Sequence, residues 1–260
     1  MEGVFLNMFN GSIEYLAEMK GHRFDPIDLL PPPDSKNITK VEIKCEDPDK
    51  IKIIFNVVEV ESWEQVDSMT FDLVNNYLDL ISFHFGVCIE NPTVTGGTLK
   101  REIISEDGSV SANIMPRTGS VVAKGYVGSV VTFKIKDKEK LTNILKSEVT
   151  SEKKRYIRSF RTTLQNSDPV VRYMSLYKIL FEIFNDKQEQ VNYFIRKIDP
   201  NIIQTPRPDK PHIMETIYTR LRNEMSHTRS NVNDLNTKNE IKQNVSGLVN
   251  IVKEAIQQFT

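Results

Sequence analysis

The 260-residue sequence predicts an α+β domain, an antiparallel sheet with a packed helix, followed by an all-α helical bundle. Three observations carry this expectation. Up to about residue 148 the chain shows β-branched, partly alternating runs separated by turn residues. Beyond it, apolar residues recur every three to four positions in one segment after another. Glycine nearly disappears at the same point, with only Gly247 after residue 128. Charge divides there too: residues 149–260 hold 18 Lys plus Arg against 12 Asp plus Glu, about +6, and residues 1–148 hold 16 against 23, about −7. The length suffices for two cores. The expected boundaries are therefore an α+β domain over 1–148 and a bundle over 149–260, the basic half being the candidate for an anionic partner.

The elements follow in order. Pro31-Pro32-Pro33-Asp34-Ser35 cannot continue a helix or a central strand and reads as a loop. Ile38 to Cys45 and Ile51 to Val60 are β-branched and partly alternating, and the Glu46-Asp47-Pro48-Asp49-Lys50 turn between them makes a hairpin. Ser62 caps a helix carrying Val66, Met69, Leu73, Tyr77, Leu80 and Ile81 or His84, which ends at Gly86. Short strands are expected near Val87–Glu90, Leu99–Ile104 and Val121–Lys136. Gly96-Gly97 and Gly125 to Gly128 read as hairpin turns, because neither leads into a phosphate-loop pattern.

In the second half, Ile157, Phe160 and Leu164 mark one helix. Tyr173, Leu176, Tyr177, Leu180 and Phe184 mark another, opened by Asp168-Pro169 as cap and first-turn proline. Val191, Phe194, Ile195 and Ile198 mark a third, closed by Asp199-Pro200 and a loop with Pro206, Pro208 and Pro211. Met214, Ile217, Tyr218, Leu221 and Met225 form the face of a fourth, and Ile241, Val245, Leu248, Val252, Ile256 and Phe259 that of the last. Four or five such helices on short polar loops make a bundle.

No apolar run approaches the roughly 20 residues that cross a bilayer, so a membrane location is not expected. Met1 to Phe9 is apolar but contains Glu2 and has no basic lead-in, which argues against a secretory signal. Cys45 and Cys88 lie far apart in expected sheet segments and read as reduced thiols. These features together predict a cytoplasmic protein. His22, His84 and His212 have no partners at useful spacing and read as structural. No His/Cys/Asp cluster at ligand spacing suggests a metal, and no cofactor is expected.

The segment that carries chemistry is Arg222-Asn223-Glu224-Met225-Ser226-His227, at the C-terminal end of the fourth bundle helix. An Arg followed by a polar residue, with His a few positions on, resembles the signature of the HEPN superfamily of helical-bundle nucleases and nucleic-acid binders. The segment from Asp168 to Glu182 resembles the helix that precedes this motif in Apea-like and methylamine-utilisation-type HEPN proteins. The likeness covers about residues 150–260 and implies a HEPN-type bundle there.

The residue types suit RNA cleavage. RNA supplies its own nucleophile, the 2′-hydroxyl, so the protein must accept a proton, donate one and place positive charge on the phosphate. His227 titrates near cellular pH. Arg222 offers a fixed fork of donors to phosphate oxygens. Asn223 can orient the phosphate or the imidazole, while Glu182 and Ser226 are candidate orienting groups. Lys154, Arg158 and Arg161 are read as one stripe opposite Ile157, Phe160 and Leu164; with Arg229 they are candidate RNA contacts, a solvated face being the alternative. On a regular helix Arg222 and His227 differ by about 140°. Either the helix ends before His227, or two chains combine their residues, and the resemblance implies a homodimer with a composite site.

The expected function is a metal-independent endoribonuclease acting on RNA, a defence or toxin effector whose N-terminal domain senses a trigger or restrains activity. The alternatives are a non-catalytic nucleic-acid-binding, nucleotide-binding or dimerisation module, and an accessory protein of a metabolic operon. On those readings Arg222 simply pairs with Glu182 or Glu224 and His227 caps its helix end.

Overall fold

A computed structural model describes residues 8–19, 22–47, 49–104, 109–119, 133–135, 138–226 and 234–260. The chain is α+β and divides into two compact units, Met1–Ser147 and Glu148–Thr260.

The first unit is built on a six-stranded antiparallel sheet. Its strands are β1 (Phe9–Glu18), β3 (Ile27–Leu29), β4 (Ile38–Asp47), β5 (Lys50–Val60), β6 (Thr93–Ile104) and β7 (Val110–Thr118), in the order β3-β4-β5-β1-β6-β7. A separate parallel pair joins β2 (His22–Phe24) to β8 (Phe133–Ile135). Alternation decides the inner face: Ile13, Tyr15 and Ala17 on β1 and Ile51, Ile53, Phe55 and Val57 on β5 are buried, with half-buried or exposed residues between them. Helix α1 (Trp63–Phe85) covers that face. Its Ser62 cap accepts the Gln65 N–H, and Gly86 closes it in the left-handed region at φ 67°. The Tyr77 ring stacks on Phe55, and the Tyr15 hydroxyl lies 2.8 Å from that of Thr70.

The β4–β5 hairpin and the α1 caps match the sequence expectation. The N-terminal segment, to which the pattern assigns no element, supplies the interior strand β1, and β7 and helix α2 (Lys138–Lys146) also go beyond it. Near Val87–Glu90 only an isolated bridge forms, between Ile89 and Met19. Gly96 and Gly97 lie inside β6 rather than in a turn. A Cβ on Gly97 would stand 2.7 Å from Cη2 of Trp63, so glycine is required where α1 starts across the sheet. Gly125 to Gly128, and Val121 to Thr132 of the expected last strand, lie outside the described residues.

The second unit contains α3 (Ser151–Gln165), α4 (Pro169–Ile183), α5 (Gln188–Ile198), α6 (Ile217–Ser226) and α7 (Asp234–Phe259). Asp168 caps α4 ahead of Pro169, as the dipeptide predicts. The unit is not purely helical. Residues expected to form a proline-rich loop build a hairpin of β9 (Gln204–Arg207) and β10 (Lys210–Thr216), so α6 starts at Ile217 and Met214 is a strand residue. A two-stranded ribbon has only edges, and it tolerates Pro206 and Pro211 for that reason. Phe184, Phe194 and Phe259 cluster with ring centroids 5.2–5.5 Å apart, joining α5 and α7 to the end of α4. Among the described residues no helix is long and apolar enough to cross a membrane.

Gly247 shows how closely α6 and α7 approach. A Cβ there would lie 2.2 Å from the Tyr218 hydroxyl and 3.4 Å from its Cζ. Gly247→Ala is therefore expected to destabilise by about 1–2 kcal/mol, because overpacking outweighs alanine's better helix propensity. Adding Tyr218→Phe removes the colliding oxygen and should return stability to the parent value in urea titrations. A double variant no more stable than Gly247→Ala would refute the steric account.

Candidate functional site

Helix α6 is positioned by polar anchors around its apolar side. Thr216 opens it, its hydroxyl accepting the Thr219 N–H, and Ile217, Tyr218 and Leu221 are buried. The Tyr173 hydroxyl on α4 donates to the Tyr218 carbonyl at 2.8 Å. Arg220 pairs with Glu224 at 2.8 Å and with Glu240 of α7, and the Thr237 hydroxyl donates to Glu224 at 2.8 Å. Beneath the helix runs a buried chain of polar groups. Gln188 donates to the Tyr177 hydroxyl, which lies 2.8 Å from that of Thr219; Thr219 in turn bonds Asn192 Oδ1 at 2.5 Å. Burial raises the phenol pKa of Tyr173 and Tyr177, and for Tyr177 the hydrogen bonds with Thr219 and Gln188 oppose the rise.

Arg222 sits half-buried on this platform. Its guanidinium lies over the rings of Phe181 and Tyr177, 5.2 and 5.8 Å from their centroids, and Nη1 donates to Asn223 Oδ1 at 2.9 Å. Among the described residues no carboxylate pairs with it. The candidates for that role are engaged elsewhere: Glu224 by Arg220 and Thr237, Glu182 by Lys178 at 3.8 Å. Arg222 lines a groove of about 460 Å³ between α4 and α6, with Val170, Met174, Phe181, Lys178 and Ser226 among the other walls.

The expected site residues separate. Arg222, Asn223 and Ser226 come together on the last turn of α6, with Ser226 exposed at the groove edge. The described part of α6 runs to Ser226. His227 and Arg229 themselves lie outside the described residues. Asn223 is only 7% exposed, and its amide is bonded at both ends, so it does not face a phosphate. Glu182 lines a different cavity, with Glu152 and Arg155.

Lys154 and Arg158 are exposed on α3, but Arg161 is 4% exposed and is not on their solvent stripe. At 100° per residue Arg161 falls within about 40° of Ile157 on the helix surface, so it borders the apolar face rather than opposing it.

The carboxylate that does meet this constellation is Glu215, at the end of β10. Its Oε1 accepts the Asn223 Nδ2 at 2.8 Å, and Arg207 Nε stands 3.9 Å away. The apolar spacing gives no signal for it: read as a helix, Glu215 falls about 100° from Met214, off the apolar face. Among the described residues no three His, Cys, Asp or Glu gather to hold a metal ion. No protein-family model, curated protein or solved structure matches the chain.

Proposed function

We propose that the second unit is a metal-independent, HEPN-type endoribonuclease, with Arg222 binding the scissile phosphate and His227 transferring the proton. One observation carries this reading: a guanidinium stacked on two rings and held by one amide, with no carboxylate among the described residues, opens onto a groove just ahead of a histidine. Such an arginine has donors left over for the oxygens of a phosphate. In the reaction the 2′-oxygen bonds to phosphorus and the 5′-oxygen leaves. One proton departs from the 2′-hydroxyl and one arrives at the leaving oxygen. Each chain brings one histidine to the motif, so a homodimer would supply both an acceptor and a donor. Lys178 at the groove and the exposed Lys154 and Arg158 add attraction for the RNA backbone. We assign the N-terminal unit a sensing or restraining role.

The mainly apolar groove, with Val171 45% exposed at its wall, favours a second reading, a non-catalytic module whose groove is a contact face. Incubation of the purified protein with mixed RNA in EDTA separates the two. Cleavage to 2′,3′-cyclic phosphate and 5′-hydroxyl ends is expected. Intact RNA would leave the binding module, and 3′-hydroxyl ends would exclude attack by the 2′-oxygen.

A further inference from the structure

Resting on the nuclease reading, we infer that Glu215 is a positioning residue that fixes the direction of the Arg222 guanidinium by setting which way the Asn223 amide points. Glu215 is 2% exposed, yet its Oε2 has no hydrogen-bond partner among the described residues. Burying a carboxylate with half its acceptor capacity unused is costly, and a glutamine or an apolar residue would satisfy the hairpin more cheaply. What the carboxylate adds is one-way chemistry. An ionised carboxylate only accepts, so the Asn223 amide must turn its NH₂ toward Glu215. Its oxygen then faces Arg222 Nη1, a group that only donates. A glutamine in place of Glu215 can present either end, which allows the Asn223 amide to flip and set its NH₂ against the guanidinium. The relay ties the hairpin end to the last turn of α6 without Glu215 reaching the substrate.

Such a relay predicts a rescue. Glu215→Gln should lower kcat for RNA cleavage by about 100-fold, the order of loss that misplacing a catalytic group by an ångström produces, with little change in KM. Asn223→Asp sets two carboxylates face to face and should do the same. The double variant E215Q/N223D restores complementarity, since the introduced aspartate accepts both from the introduced glutamine and from Arg222, and should recover most of the rate. Arg207→Gln removes the other cation near Glu215 and should leave the rate unchanged. Full activity in Glu215→Gln, no recovery in the double variant, or an equal loss in Arg207→Gln would overturn the relay. If the wild-type protein cleaves no RNA, the nuclease reading falls and the relay is judged by the Arg222 Nε–H signal in NMR. A sharp signal in wild type and double variant, broadened in the single variants, supports it; an unchanged signal in the single variants refutes it.

Discussion

Arg222→Lys should reduce RNA cleavage by about 100- to 1,000-fold while the protein remains folded, the range found when one preorganised donor to a developing charge is removed. The substitution keeps the charge, so simple attraction for RNA survives. What it loses is shape. The guanidinium lies over the Phe181 and Tyr177 rings while bonding Asn223, and a planar fork can do both and still present an edge to a phosphate. An ammonium is a point donor and cannot. The stacking itself is worth about 0.5–1 kcal/mol, too little for its loss to unfold the unit. His227→Ala should be at least as damaging but should differ in pH dependence: Arg222→Lys keeps the titration of the imidazole in its residual rate, and His227→Ala abolishes it. Wild-type rates in both variants would remove the motif from any catalytic role.

Tyr177→Ala is expected to cost the second unit about 3–5 kcal/mol, because it deletes one of the largest fully buried side chains of the protein. It also removes the ring beneath Arg222 and one hydrogen-bond partner from each of Gln188 and Thr219, which stay bonded to one another. Tyr177→Phe separates these effects. The ring stays, and the loss of the hydroxyl alone should cost about 0.5–1.5 kcal/mol, because Gln188 and Thr219 keep their bond to each other. Urea unfolding followed by circular dichroism measures both. The phenylalanine variant should retain near-normal cleavage, since the platform for Arg222 is the ring face; a collapse of activity would assign the hydroxyl a part in the chemistry.

Local signals were legible wherever the chain uses standard devices. Ser62 and Gly86 mark the ends of α1, and Asp168-Pro169 opens α4 as the dipeptide dictates. The Glu46–Lys50 turn announces its hairpin. Interior strand β1 was harder to read. Its buried Ile13, Tyr15 and Ala17 do alternate, but they gain meaning only once β5 and β6 pair on either side. The β9–β10 hairpin was hidden by its prolines, which forbid a central strand but not a ribbon of two edges. At the site, the position of Arg222 on the last turn of α6 followed from periodicity. Its orienting carboxylate did not, because Glu215 reaches Asn223 from a strand whose existence the pattern concealed. Arg161 shows a subtler limit: spacing alone puts it near the basic stripe, whereas burial is decided by which neighbouring helix leans against that edge.

The β9–β10 hairpin carries a consequence for how the chain tolerates change in length. Thr205 stands opposite Glu215 and Pro206 opposite Met214. Because side chains alternate along a strand, sliding that register by one residue would turn Glu215 to the other side of the ribbon. A residue gained or lost around Pro208, ordinarily the most permissive kind of loop edit, would thus act at Arg222. Natural variants of this chain should accept substitutions in the turn far more readily than insertions or deletions.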